Sequence, residues 1–131
     1  MRHRALLAPA AVLAAALTTF AQTAAATPDT STSRAHSVAT PPGRVCFWTQ
    51  PGMMGQAWCY GPPGYAEAEN GTQRNAHSFE SRYNGTVYAI SYSSGSGCLY
   101  REIRTDDYSE DWEWAGKLDG VSHETMGCEP G

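Results

Sequence analysis

Four cysteines, two histidines and a scatter of carboxylates are the residues of this chain that could do chemistry. Cys46, Cys59, Cys98 and Cys128 form an even set, and four cysteines allow about three disulfide connectivities. The run His123-Glu124-Thr125-Met126-Gly127 opens like a zinc-protease motif. It has no second histidine four residues after the first, so that metal pair is missing. Of the other histidines, His3 and His36 precede the folded part, and His77 stands alone. No serine occupies a Gly-x-Ser-x-Gly elbow. Asp106, Asp107, Glu110 and Asp111 form an acidic run that reads either as a loose calcium site or as a solvated face. Carboxylates are abundant enough for a glycosidase pair, yet a domain of this size offers little cleft in which to desolvate one. The expectation is a protein without catalysis, cofactor or metal, whose cysteines serve as bridges.

Bridges need strands to hold them in register. Val45, Phe47 and Thr49 alternate with Cys46, Trp48 and Gln50, and residues 56–60 form a second β-prone run. Between them lies the turn Pro51, Gly52, Met53, Met54, Gly55, so the stretch reads as a β-hairpin. If Thr49 faces Gln56, then Cys46 faces Cys59, and directly opposed β-carbons lie about 4.5 to 5.5 Å apart, within reach of a disulfide after local twist. That register favours Cys46 with Cys59 and leaves Cys98 for Cys128.

The start of the chain sets the compartment. Arg2 and Arg4 precede an apolar run over residues 5–17, shorter than the about 20 residues a membrane-spanning helix needs. Small residues at Ala24 and Ala26 complete the pattern of a secretory signal peptide over residues 1–26. Its removal takes nine basic residues to seven against thirteen acidic ones, a net charge of −6. Lys117 is the one lysine of the chain. With no basic cluster to neutralise phosphates, a nucleic-acid partner is excluded, and no membrane contact is expected after cleavage. An even cysteine count fits an oxidising, extracellular destination. Residues 27–43, rich in Ser, Thr, Ala and Pro, read as a disordered linker. The remaining 88 residues, 44–131, permit one small domain, in which each staple contributes about 3 kcal/mol in the chain-entropy model.

Turn signals recur every few residues within that domain and favour short antiparallel strands. Residues 86–92 give the clearest later strand, with Tyr88, Ile90 and Tyr92 on one face. Residues 78–83 are its expected hairpin partner, and 98–103 the next strand. Over 108–118 a strand carrying Trp112 and Trp114 competes with a helix.

Val45-Cys46-Phe47-Trp48 and Gly97-Cys98-Leu99-Tyr100 form a weak internal repeat, which points to an all-β, disulfide-stapled sandwich of two Greek keys. At this point the chain resembles the βγ-crystallin fold, and in particular the small secreted proteins of peptidase inhibitor family I36. The hairpin motif of that fold is an aromatic, four residues, an aromatic, one residue and a glycine. Trp48 to Gly55 follows the spacing with Met53 in the second aromatic position. The resemblance implies a positive φ at Gly55 and a tying role for Ser78. In the second unit Tyr100 is followed at the matching positions by Thr105 and Asp107, and its fourth strand is expected around Cys128. The matching calcium stretch is Arg74-Asn75-Ala76-His77-Ser78-Phe79. There an arginine and a phenylalanine replace oxygen donors, so weak or absent calcium binding is expected.

The resemblance implies a monomeric, secreted inhibitor of extracellular metalloproteinases. Its inhibitory loop would be Pro51, Gly52, Met53, Met54 and Gly55, with Met53 in the core and Met54 free to enter the apolar pocket of a thermolysin-type enzyme. A cell-wall or carbohydrate-binding module using the tryptophans and tyrosines is the alternative, and a secreted antimicrobial protein of the same fold is a third reading.

Overall fold

The structure, a computed structural model, describes residues 38–131. The expected signal peptide and most of the expected linker lie outside the described residues. The end of that linker is a correction. Thr40 is buried, and Gly43 donates its N–H to the Arg82 carbonyl at 2.8 Å. Residues 40–43 therefore dock on the domain, because a backbone donor and a buried side chain find partners there.

Strand β1 (Val45–Gln50) pairs antiparallel with β2 (Met54–Tyr60), and Cys46 sits opposite Cys59. The ladder shifts between Trp48 and Gln50. Thr49 leaves it there and accepts the Gln56 N–H on its Oγ1 at 3.0 Å. The chain then supplies β3 (Tyr65–Glu67), β4 (Ser78–Ser81), β5 (Val87–Tyr92), β6 (Cys98–Ile103), β7 (Tyr108–Ser109), β8 (Gly120–Ser122) and β9 (Glu129–Pro130). One sheet runs β2-β1-β4-β7 and the other β3-β8-β5-β6-β9. Each four-strand unit sends its third strand, β3 or β7, to the opposite sheet, so the two Greek keys interlock.

Period-two alternation explains the core. Phe47, Phe79, Trp58 and Trp112 meet between the sheets, with ring centroids 4.9 to 6.1 Å apart. Val87, Ala89, Ile103, Leu118 and Val121 close it from the other side. Full burial of one such large apolar side chain stabilises by about 1.5–3 kcal/mol. The disulfides Cys46–Cys59 and Cys98–Cys128 close separations of 13 and 30 residues, and no cysteine is free.

Several sequence expectations are corrected. Residues 78–83 are not the hairpin partner of β5. β4 pairs with β1 and β7 because Phe79 belongs opposite Phe47 in the core. The chain changes sheets at Gly85, whose N–H is held by Thr105 Oγ1 at 2.8 Å. The fourth strand of the second unit is β8, and the Cys128 region instead forms β9, a parallel edge beside β6. The cysteine-based repeat was therefore offset by one strand, since β1 corresponds to β5 rather than β6. Trp112 and Trp114 lie on neither strand nor helix. They sit in i→i+3 turns closed by Ala115 N–H to Trp112 O at 3.1 Å and Lys117 N–H to Trp114 O at 2.9 Å.

Candidate functional site

The 51–55 turn does not extend from the sheet but folds back over it. Three left-handed residues make the reversal: Gly52 (φ 71°), Met53 (φ 57°) and Gly55 (φ 82°). Met53 takes this conformation at the steric cost of a β-carbon. At Gly55 a β-carbon would also run into Thr49 Oγ1, so both backbone and space require glycine.

Two contacts hold the folded turn down. Ser78, wholly buried, accepts the Met53 N–H on its Oγ at 2.9 Å and donates that hydroxyl to the Gln50 carbonyl at 2.7 Å. Gly52 donates its N–H to the Glu110 carbonyl at 2.8 Å. Beneath the turn Trp48 is sealed from solvent, although its Nε1 has no hydrogen-bond partner. The staple joins the arms one row away, where Cys46 is fully buried.

Pro51, Gly52 and Met54 are exposed, while Met53 and Gly55 are half-buried. Met53 thus differs from the expected core residue. It is only half-buried and belongs neither to the core cluster nor to the side chains packed against it. Met54 is 50% exposed. Its Cε lies 4.0 Å from where a Gly52 β-carbon would stand, so it lies along the turn.

Other residues singled out in the sequence are dispersed. His77 Nε2 pairs with Asn75 Oδ1 at 3.1 Å, and His123 Nδ1 accepts the Gly64 N–H at 2.8 Å. Asp107 Oδ2 accepts the Arg104 N–H at 2.7 Å, which makes part of the acidic run a turn cap. Among the described residues no three His, Cys, Asp or Glu side chains are placed to hold a metal ion. Arg74, at the first position of the calcium-like stretch, grips both oxygens of the buried Asp119 at 2.7 and 2.9 Å and the Tyr92 carbonyl at 2.8 Å. The hydrogen bond to Asp119, and then its charge, raise the Arg74 pKa further. Nothing in the local sequence of Asp119 signals this partner 45 residues away.

The tryptophan platform is also corrected, since Trp48, Trp58, Trp112 and Trp114 are all buried. The aromatics that reach a surface are tyrosines. Strand pairing puts Tyr65, Tyr88, Tyr92 and Tyr100 on the outer face of the second sheet. Tyr65 meets Tyr92, and Tyr88 meets Tyr100, edge to face at 6.1 and 5.3 Å.

Comparison with known proteins agrees with this architecture. Among solved structures, the chain is similar to a βγ-crystallin domain of Abundant Perithecial Protein from Neurospora crassa, determined in the Ca2+-bound form. The two are 19% identical with a TM-score of 0.50, over 64% of this chain and 90% of that one. The fold is βγ-crystallin-like. No protein-family model matches the sequence, and a search of curated proteins finds no match. The two disulfides accord with an oxidising, extracellular setting.

Proposed function

We propose that this chain is a secreted, non-catalytic binding protein that inhibits an extracellular metalloproteinase through the 51–55 turn. One observation carries the reading: a half-exposed methionine, Met54, stands on a turn immobilised by Ser78, by Glu110 and by the Cys46–Cys59 staple. A loop already fixed in its bound shape loses little conformational entropy on association. A bulky apolar side chain on such a loop suits the apolar pocket of a thermolysin-type enzyme. The protein itself needs no catalytic group, since occupying the cleft is sufficient.

Titration of the purified domain against a thermolysin-type enzyme tests this. Met54→Ala is expected to raise the inhibition constant about tenfold or more, on the order of 1.4 kcal/mol, with little change in melting temperature. Met53→Ala should instead lower stability, by about 1–2 kcal/mol for a half-buried methionine. Undiminished inhibition by Met54→Ala would move the reactive site away from this turn. The outer tyrosines Tyr65, Tyr88, Tyr92 and Tyr100 support a second reading, a cell-wall saccharide module. Retention on cell-wall polysaccharide without protease inhibition would select it.

A further inference from the structure

The turn is not the whole of the surface on its side of the molecule. Phe79 points into the core, so its neighbour Glu80 points outward. Directly opposed residues share a face. Cys59, Cys46, Glu80 and Tyr108 are opposed in succession and form one row across the outside of the first sheet. The next row is Ala57, Trp48 and Ser78, reaching Glu110 beyond the end of β7. The folded turn lies along this second row, bonded to Ser78 and Glu110. Rows on one face are two residues apart, or about 7 Å. Tyr108 is therefore the next-row neighbour of the turn, on the same face.

Its environment sets it apart. Tyr108 is 67% exposed, the highest value among the large apolar and aromatic side chains of the described residues. It sits on a two-residue edge strand whose other side pairs with no strand among the described residues. Three inter-strand spacings, about 14 Å, separate its strand from that of Met54. A stable protein complex buries about 800 Å² on each partner. A five-residue turn, with Pro51, Gly52 and Met54 exposed, supplies only part of that area, and the rest must come from the surface alongside. Tyrosine is among the residues enriched at interface hot spots.

We infer that Tyr108 is a second, specificity-determining contact for the protease, bound outside the pocket that takes Met54. This rests on the inhibitory reading above. The test compares inhibition of a thermolysin-type enzyme by the unmodified domain, Tyr108→Ala, Tyr108→Phe, Met54→Ala and the Tyr108→Ala/Met54→Ala double variant, each with its melting temperature. Tyr108→Ala is expected to raise the inhibition constant about tenfold at an unchanged melting temperature, and Tyr108→Phe to restore most of the loss. The effects of two separated contacts should multiply in the double variant. Full inhibition by Tyr108→Ala alongside weakened Met54→Ala would overturn the second contact and leave the inhibitory reading standing. A native domain that inhibits no such enzyme would overturn both.

Discussion

Ser78→Ala isolates what holds the turn. The substitution keeps the β-carbon and strand pairing and removes one oxygen, which leaves the Met53 N–H and the Gln50 carbonyl without their partner. An unpartnered buried polar group costs about 1–3 kcal/mol. Both groups are only partly buried, so each should fall near the lower end of that range, at about 1–1.5 kcal/mol, for a total of roughly 2–3 kcal/mol. In a domain of this size 1 kcal/mol corresponds to about 4–8 °C, and the melting temperature should fall by roughly 10–20 °C. Thermal unfolding followed by circular dichroism reads the total. Hydrogen exchange at the Met53 amide reads the local part and should accelerate well beyond the rates of the β5 and β6 core amides. Inhibition should weaken too, because a loosened loop must be ordered on binding. A melting temperature within a few degrees of the native one, together with a Met53 amide as protected as before, would refute the serine as the latch and leave Glu110 and the staple to explain the folded turn.

Two further outcomes concern charge. Burial, and secondarily the neighbouring Tyr92, raise the pKa of Tyr65 well above its ordinary 10.0. The folded state therefore favours the neutral phenol. The corresponding stability is intact below pH 10 and is lost as pH climbs through the raised value. Tyr65→Phe should flatten the fall of the urea midpoint between about pH 10 and 12, with Tyr60, raised chiefly by burial, keeping part of the slope. An unchanged slope would refute Tyr65 as its source. Calorimetry with millimolar calcium should show no saturable heat, because the guanidinium of Arg74 already occupies both Asp119 oxygens and the Tyr92 carbonyl. A micromolar dissociation constant would overturn that account.

The sequence was most informative where the chain is local. The Cys46 and Cys59 register follows from two alternating arms and a turn, all within sixteen residues, and strand pairing reproduces it. Where contacts are distant, local patterns misled. Asn84-Gly85 looks like a hairpin turn, yet Gly85 is tied to Thr105 and the chain crosses between sheets. Over 108–118 the sequence suggests a strand with a helix as competitor, but Phe79 and Trp112, paired edge to face at 4.9 Å, pull Trp112 and Trp114 into turns against the core. Tyr108 gave no signal of its own, since its exposure follows from a register with Glu80 that no short window contains.

The offset repeat, once corrected, shows how the two units differ. Trp48 opposite Ser78 matches Ile90 opposite Gly120, and His77 N–H to Trp48 O matches Asp119 N–H to Ile90 O, each at 2.8 Å. By the same offset, Tyr92 stands where Gln50 stands, and Gly120 where Ser78 does. The second unit has thus lost its serine, and a β-carbon at Gly120 would collide with the ring of Tyr65. Arg74 and Asp119 replace the missing hydroxyl. Arg74 Nη2 donates to the Tyr92 carbonyl at 2.8 Å, and Asp119 Oδ2 accepts the Tyr92 N–H at 2.7 Å. This pair fixes the base of the second hairpin and does not reach its tip. At that tip, in the 93–97 loop, the hydrogen bonds run within the loop, from Ser93 N and Oγ to Gly97 O at 3.1 and 2.9 Å. A loop held only by itself must be ordered when it binds, whereas the first turn is bonded to the sheet at Ser78 and beyond it at Glu110. Of two hairpins built on one plan, the first is the one bonded to its sheet at the tip, the rigidity that the proposed inhibitory role requires.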